Sequence, residues 1–148
     1  MKKYEIIKGK PNNIHDLRKK VKNKNSGADR IAVVEELKKY DCKEAKNILR
    51  ELLKSDKVWN VKHKAFLALQ SFGENVRLPK KKKGHLINDI NKKIAVVNNS
   101  FEGKDYSIED FNEKFKAFYP EAYDVYQWDK GAKFNEWVQN VLGNSPKK

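Results

Sequence analysis

The residues of this chain best equipped for chemistry are cations. Lys80 to Lys83 run without interruption, Arg77 precedes them, and Lys92 and Lys93 follow. Ammonium and guanidinium groups at that density hold phosphate oxygens, and each phosphate neutralised adds salt-dependent affinity. A helix opening at Gly84 would add its free amides and positive dipole end to such a grip. A second group, Arg18, Lys19, Lys20, Lys22 and Lys24, stands behind Lys2, Lys3, Lys8 and Lys10. Each run has a plainer reading as a solvated, mobile charged surface.

Other chemistries lack their residues. Cys42, His63 and His85 are each about twenty residues from the next, with no close-spaced pair, so the sequence predicts no metal site. No Gly-x-Ser-x-Gly, Walker or dinucleotide-binding glycine pattern occurs, and no cofactor or small-molecule substrate is expected. Glu35-Glu36 and Glu109-Asp110 are adjacent on helices and point apart, which makes them surface and first-turn charges rather than an acid/base pair. No catalytic residue is assigned. Tyr119, Tyr123, Tyr126 and Trp128 could stack on unpaired bases, but their spacing fits core packing better, as does the position of Trp59. A lone cysteine, no signal segment and no apolar run of spanning length lead to the expectation of a cytoplasmic protein with no membrane partner.

The net charge of +13 over 148 residues is unevenly spread. Residues 1–27 carry nine Lys or Arg against two acids, whereas residues 105–148 carry six against eight. The basic character belongs to the first hundred residues. Such a field attracts nucleic acid, and it attracts acidic proteins as well.

The elements that must position these charges are helices. Residues 1–12 read as a basic arm closed by Pro11. Ile14, Leu17 and Val21 predict a first helix capped by Asn13; Val33, Val34, Leu37 and Tyr40 a second, from Asp29 to Tyr40; Ala45, Ile48, Leu49, Leu52 and Leu53 a third. Val61, Ala65, Ala68, Leu69 and Phe72 predict a fourth, ending at Gly73, and Leu86, Ile90, Ile94 and Val97 a fifth, from about His85 to Val97. Beyond Lys104, Ser107-x-x-Asp110 opens a helix with Ile108, Phe111, Phe115 and Phe118 on its stripe. Tyr119-Pro120 stops it, a short element follows to Trp128, and a last helix spans Lys130 to Leu142.

Helices two and four match at an offset of 32: Arg30 with Lys62, Val33 with Ala65, Leu37 with Leu69, Tyr40 with Phe72. The run Asp56-x-Val58, Val61-Lys62, Ala65, Ala68-Leu69, Phe72-Gly73 resembles the first helix of a HEAT repeat, best over residues 28–73. Lys62 stands where that family usually has arginine. The resemblance implies an all-α, HEAT-like stack of antiparallel helix pairs at residues 13–100. An aromatic-rich helical unit at 105–143 and a tail at 144–148 would follow. It also implies that Asp56 and Lys62 sit at positions that bond between adjacent repeats, and that neighbouring pairs share one core.

The function expected is non-catalytic binding of nucleic acid, duplex DNA before RNA. Arg77, Lys80, Lys81, Lys82, Lys83, Lys92 and Lys93 are the main contacts, and Arg18, Lys19, Lys20 and Lys22 the secondary ones. The alternative is a HEAT-like scaffold gripping an acidic protein. The alkylpurine DNA glycosylases, built on similar repeats, are the one enzyme class to test, although their catalytic aspartate in its aromatic surroundings has no counterpart here.

Overall fold

A computed structural model describes residues 6–81 and 85–144. It is predominantly α-helical and divides into two units, residues 1–81 and 82–148.

In the N-terminal unit, Ile7–Lys8 (β1) lies parallel to Tyr40–Asp41 (β2), Ile7 opposite Tyr40. The described end of the arm is therefore paired rather than free. Ile14–Val21 (α1) buries Ile14 and Leu17 and turns Arg18, Lys19 and Lys20 outward. Asn13 occupies its N-cap position without a side-chain hydrogen bond. Gly27–Leu37 (α2) starts two residues earlier than its apolar spacing suggests, because the Ser26 hydroxyl accepts the Asp29 amide at 3.1 Å. It also stops short of Tyr40, whose backbone is taken by β1.

Lys43–Ser55 (α3) opens on Cys42, whose Sγ accepts the Ala45 amide at 3.4 Å, and buries Ala45, Leu49, Leu52 and Leu53. Trp59–Ser71 (α4) buries Val61, Ala65, Ala68 and Leu69 and packs on both α3 and α2, while α1 packs on α2. Between α2 and the turn before α4 lies a buried ion pair. Arg30 donates from Nε to Asp56 Oδ2 at 2.7 Å and from a terminal nitrogen to Oδ1 at 3.1 Å; the two side chains are 6% and 4% exposed. Asn23 O and the Val58 amide complete the site, bonding Arg30 and Asp56 respectively.

The C-terminal unit holds Ile90–Asn99 (α5), Ile108–Phe118 (α6), Pro120–Lys130 (α7), a short 3-10 turn and Phe134–Asn144 (α8). The fifth helix begins five residues later than the sequence suggests. Asp89, at φ 62°, breaks the helical path, and the Leu86 and Ile87 amides donate to the Tyr126 hydroxyl at 2.9 and 3.3 Å. Gly84 itself lies outside the described residues, and the helix N-terminus expected beside it stands instead at Ile90. Ile90, Ile94 and Val97 bury α5 against α6 and α8, so this helix belongs with the aromatic unit.

The core of the C-terminal unit is a chain of rings. Phe115 meets Phe111, Tyr123 and Phe134 at 6.0, 5.6 and 6.2 Å, and Tyr126 stacks on Trp137 at 4.5 Å. The rings of Tyr123 and Tyr126 thus pack inward, against other rings of the same unit. The expected capping box is formed: Asp110 N donates to Ser107 Oγ at 3.1 Å, and Ser107 N to Asp110 Oδ2 at 3.4 Å. Tyr119-Pro120 ends α6 but also starts α7, with Pro120 in its first turn. Among the described residues no helix is long and apolar enough to cross a membrane.

Candidate nucleic-acid interface

The site is built on α3 and α4. Positions 50, 53 and 54 share one face of α3, being three and four residues apart, so Arg50 and Lys54 flank Leu53. Lys62 sits in the first turns of α4. The third contribution comes from the chain beyond α4, and its path is set by two local devices.

The first is the helix end. Gly73 takes φ +83°, its amide bonds Gln70 O at 2.9 Å, and the Glu74 amide bonds Leu69 O at 3.0 Å. These are the two bonds of a Schellman cap, and the left-handed step suits glycine. The chain reverses so that the Glu74 carboxylate pairs with the Arg50 guanidinium and reaches Lys46 Nζ at 3.6 Å. The second device is Trp59. Its indole N–H donates to Pro79 O at 3.0 Å, its ring stacks on His63 at 5.1 Å, and Lys81 Nζ stands 5.4 Å from the ring centre. Residues 74–81, which have no regular structure of their own, are tied back onto α4 at that point.

The result is an open basin of about 320 Å³ lined by Arg50, Leu53, Lys54, Lys62, Arg77 and Pro79. Four cations converge on it over a small apolar floor. Arg50 is engaged by Glu74, whereas Lys54, Lys62 and Arg77 have no acidic partner among the described residues. Like charges held around one concavity without counterions raise each other's energy, and an anion arriving there relieves it.

Of the residues expected from sequence, Arg77 lines the basin, and Lys80 and Lys81 follow it in the tethered segment. Lys82 and Lys83 lie outside the described residues. Lys92 and Lys93 belong to the other unit; Lys92 is exposed, and Lys93 Nζ stands 5.3 Å from the centre of the Tyr119 ring. Arg18, Lys19, Lys20 and Lys22 are exposed on and just after α1, apart from the basin lining. Arg18 acts with Lys10 on Glu44, whose carboxyl is held below the usual range first by a hydrogen bond to its own backbone amide and then by these two charges. Asp56 bonds Arg30, the residue 32 positions before Lys62, while Lys62 itself faces the basin.

Arg50 and Lys54 escape a sequence reading because they look like the ordinary polar face of α3. Trp59 escapes it because nothing local tells a packing indole from one whose N–H reaches a carbonyl twenty residues on. The available signal was the i, i+4 cationic pair around Leu53 followed, eight residues past Lys54, by Lys62. Among the described residues no group of three or more His, Cys, Asp or Glu is placed to hold a metal ion. No protein-family model matches the chain, and neither a curated protein nor a solved structure matches it.

Proposed function

We propose that the N-terminal unit is a non-catalytic nucleic-acid-binding module of HEAT-like build, gripping the phosphates of duplex DNA. The observation that carries this reading is the convergence of Arg50, Lys54, Lys62 and Arg77 on one open basin, with Lys80 and Lys81 held beside it through Trp59. The unit supports it as a whole, because residues 1–81 hold 22 Lys or Arg against 10 acids, a balance of +12. Lysine and arginine without acidic partners are free to exchange counterions for phosphates, which is the sequence-independent part of DNA affinity. The HEAT-like reading rests on the Arg30–Asp56 bond between repeats at matching register. A reducing cytoplasm suits the single Cys42.

The test is duplex binding across a salt series. Replacing Lys54, Lys62 and Arg77 together by alanine lowers affinity and flattens the plot of log K against log salt by about 0.9 for each phosphate no longer neutralised. Circular dichroism stays unchanged. Replacing Lys80 to Lys83 by alanine acts in the same direction. Unchanged affinity in the triple variant sinks the assignment. Capture of one nuclease-resistant acidic protein through the same three residues moves the reading to a protein scaffold.

A further inference from the structure

A duplex flank offers its phosphates in a row along a convex surface, one unit charge on each. The basin has the opposite form. Its cations come from α3, α4 and the segment after α4, and they face one concavity instead of spreading along a line. With Glu74 set against Arg50, four positive charges and one negative leave a local excess of three. A single phosphodiester meets one of these. A terminal phosphomonoester carries close to two charges at neutral pH and presents three strong acceptor oxygens to one point. The lysine ammoniums and Arg77 match such acceptors as charge-assisted donors.

The lining also has a non-ionic part. Leu53 is buried and Pro79 half-buried, so the floor is apolar. The basin is open and holds about 320 Å³, room for a phosphate together with the sugar that carries it. The stacked Trp59–His63 pair, with Lys81 over the indole, is already engaged, so an inserted base has no free ring to lie on.

We propose that the basin formed by Arg50, Lys54, Lys62 and Arg77 over Leu53 and Pro79 binds a terminal phosphomonoester of nucleic acid, the phosphorylated end of a duplex or nick. The proposal rests on the nucleic-acid reading above and deepens it. Lys80 and Lys81, held beside the basin, then meet the next phosphates inward from the end.

The experiment compares three short duplexes of one sequence by fluorescence anisotropy with the full chain: 5′-phosphorylated, 5′-hydroxyl, and closed at both ends by loops. The phosphorylated duplex binds about tenfold tighter than the hydroxyl one, the worth of one further charge-assisted hydrogen bond. Lys62→Ala with Arg77→Ala abolishes the difference and also weakens binding of the closed duplex, so that all three duplexes bind alike. Glu74→Gln, which frees Arg50 and changes no side-chain size, widens the difference. Equal affinity for all three duplexes overturns the end-binding site and leaves general DNA binding standing. Binding to none overturns both. Displacement by an equal concentration of a free nucleoside monophosphate reassigns the basin to small nucleotides, and tighter binding of a phosphoserine peptide than of any duplex reassigns it to phosphoproteins; either result overturns the proposal.

Discussion

The two units use the same residue for different work. Residues 1–81 carry a balance of +12, while residues 82–148, with 11 Lys or Arg against 10 acids, are almost neutral. In the C-terminal unit lysines lie over rings: Lys114 Nζ is 4.2 Å from the centre of Phe101, Lys93 5.3 Å from Tyr119 and Lys130 5.5 Å from Trp137. Each sets its charge on a π face. In the N-terminal unit the rings are fewer, and the cations of the basin face solvent and one another. Lys46 and Lys81 of this unit also stand over rings, those of Phe72 and Trp59, so the contrast lies with the four cations that line the basin. A net charge alone does not separate these cases.

The units also differ in what ties their helices together, and substitutions can break that contrast. The largest effect belongs to the ionic tie. Asp56→Ala removes both carboxylate bonds to Arg30 and the acceptor of the Val58 amide, and it leaves a guanidinium stranded at 6% exposure. A buried charge losing its partner costs about 3–5 kcal/mol. Urea unfolding followed by Trp59 emission, with Trp128 and Trp137 replaced by phenylalanine, measures it. Arg30→Met with Asp56→Leu recovers most of the loss, because an apolar pair of similar volume avoids desolvating two ions. A cost below about 1 kcal/mol for the single change would make the pair no stronger than a surface bridge.

The aromatic unit has a neutral counterpart of smaller effect. Tyr126 is 2% exposed and its hydroxyl accepts two backbone amides from residues 86 and 87. Tyr126→Phe keeps the stack on Trp137 and leaves those amides without their acceptor, at about 1–3 kcal/mol. Burial, with the Asp129 charge adding to it, holds the phenol above its ordinary value near 10, and the two amide bonds only partly offset this. A folded-state value above the unfolded one means that the unfolded chain gives up its proton first. Stability is therefore fully present below pH 10 and falls as pH rises past it. The phenylalanine variant lacks that part of the decline in alkaline unfolding curves.

Periodicity located most of the helices from sequence, because each stripe is local: Ala45, Leu49, Leu52 and Leu53 on α3, or Ile90, Ile94 and Val97 on α5, are buried as their spacing demands. Phe118, placed by its spacing on the α6 stripe, is nevertheless exposed, and α7 reads from sequence only as a short element. Which helix a stripe packs against was not legible. α5 reads as a continuation of the repeats, yet it packs on α6 and α8, and the Tyr126 hydroxyl that delays its start lies forty residues downstream. The site shows the same limit. Arg77 and the lysines after it are conspicuous as a run, whereas Arg50, Lys54 and Lys62 join them only through the Gly73 reversal and the Trp59–Pro79 bond. Composition reveals that cations exist; two local devices decide which of them meet.

The smallest effect compares two helix starts that look alike on paper. Asn13 and Ser107 are both strong N-cap types placed ahead of amphipathic stripes. At α6 the signal is realised in both directions, since Ser107 Oγ accepts the Asp110 amide and Asp110 returns the bond. At α1 the Asn13 side chain bonds nothing at the helix start, and its backbone, at φ −97° and ψ 26°, lies outside the extended region that aims a cap. Ser107→Ala therefore costs about 1 kcal/mol and exposes the first-turn amides of α6 to exchange. Asn13→Ala costs only a few tenths, because a cap residue with no bond contributes little beyond its propensity. Native-state hydrogen exchange at residues 14–17 and 108–111 reads both at once. Equal losses would mean that Asn13 caps α1 in solution after all.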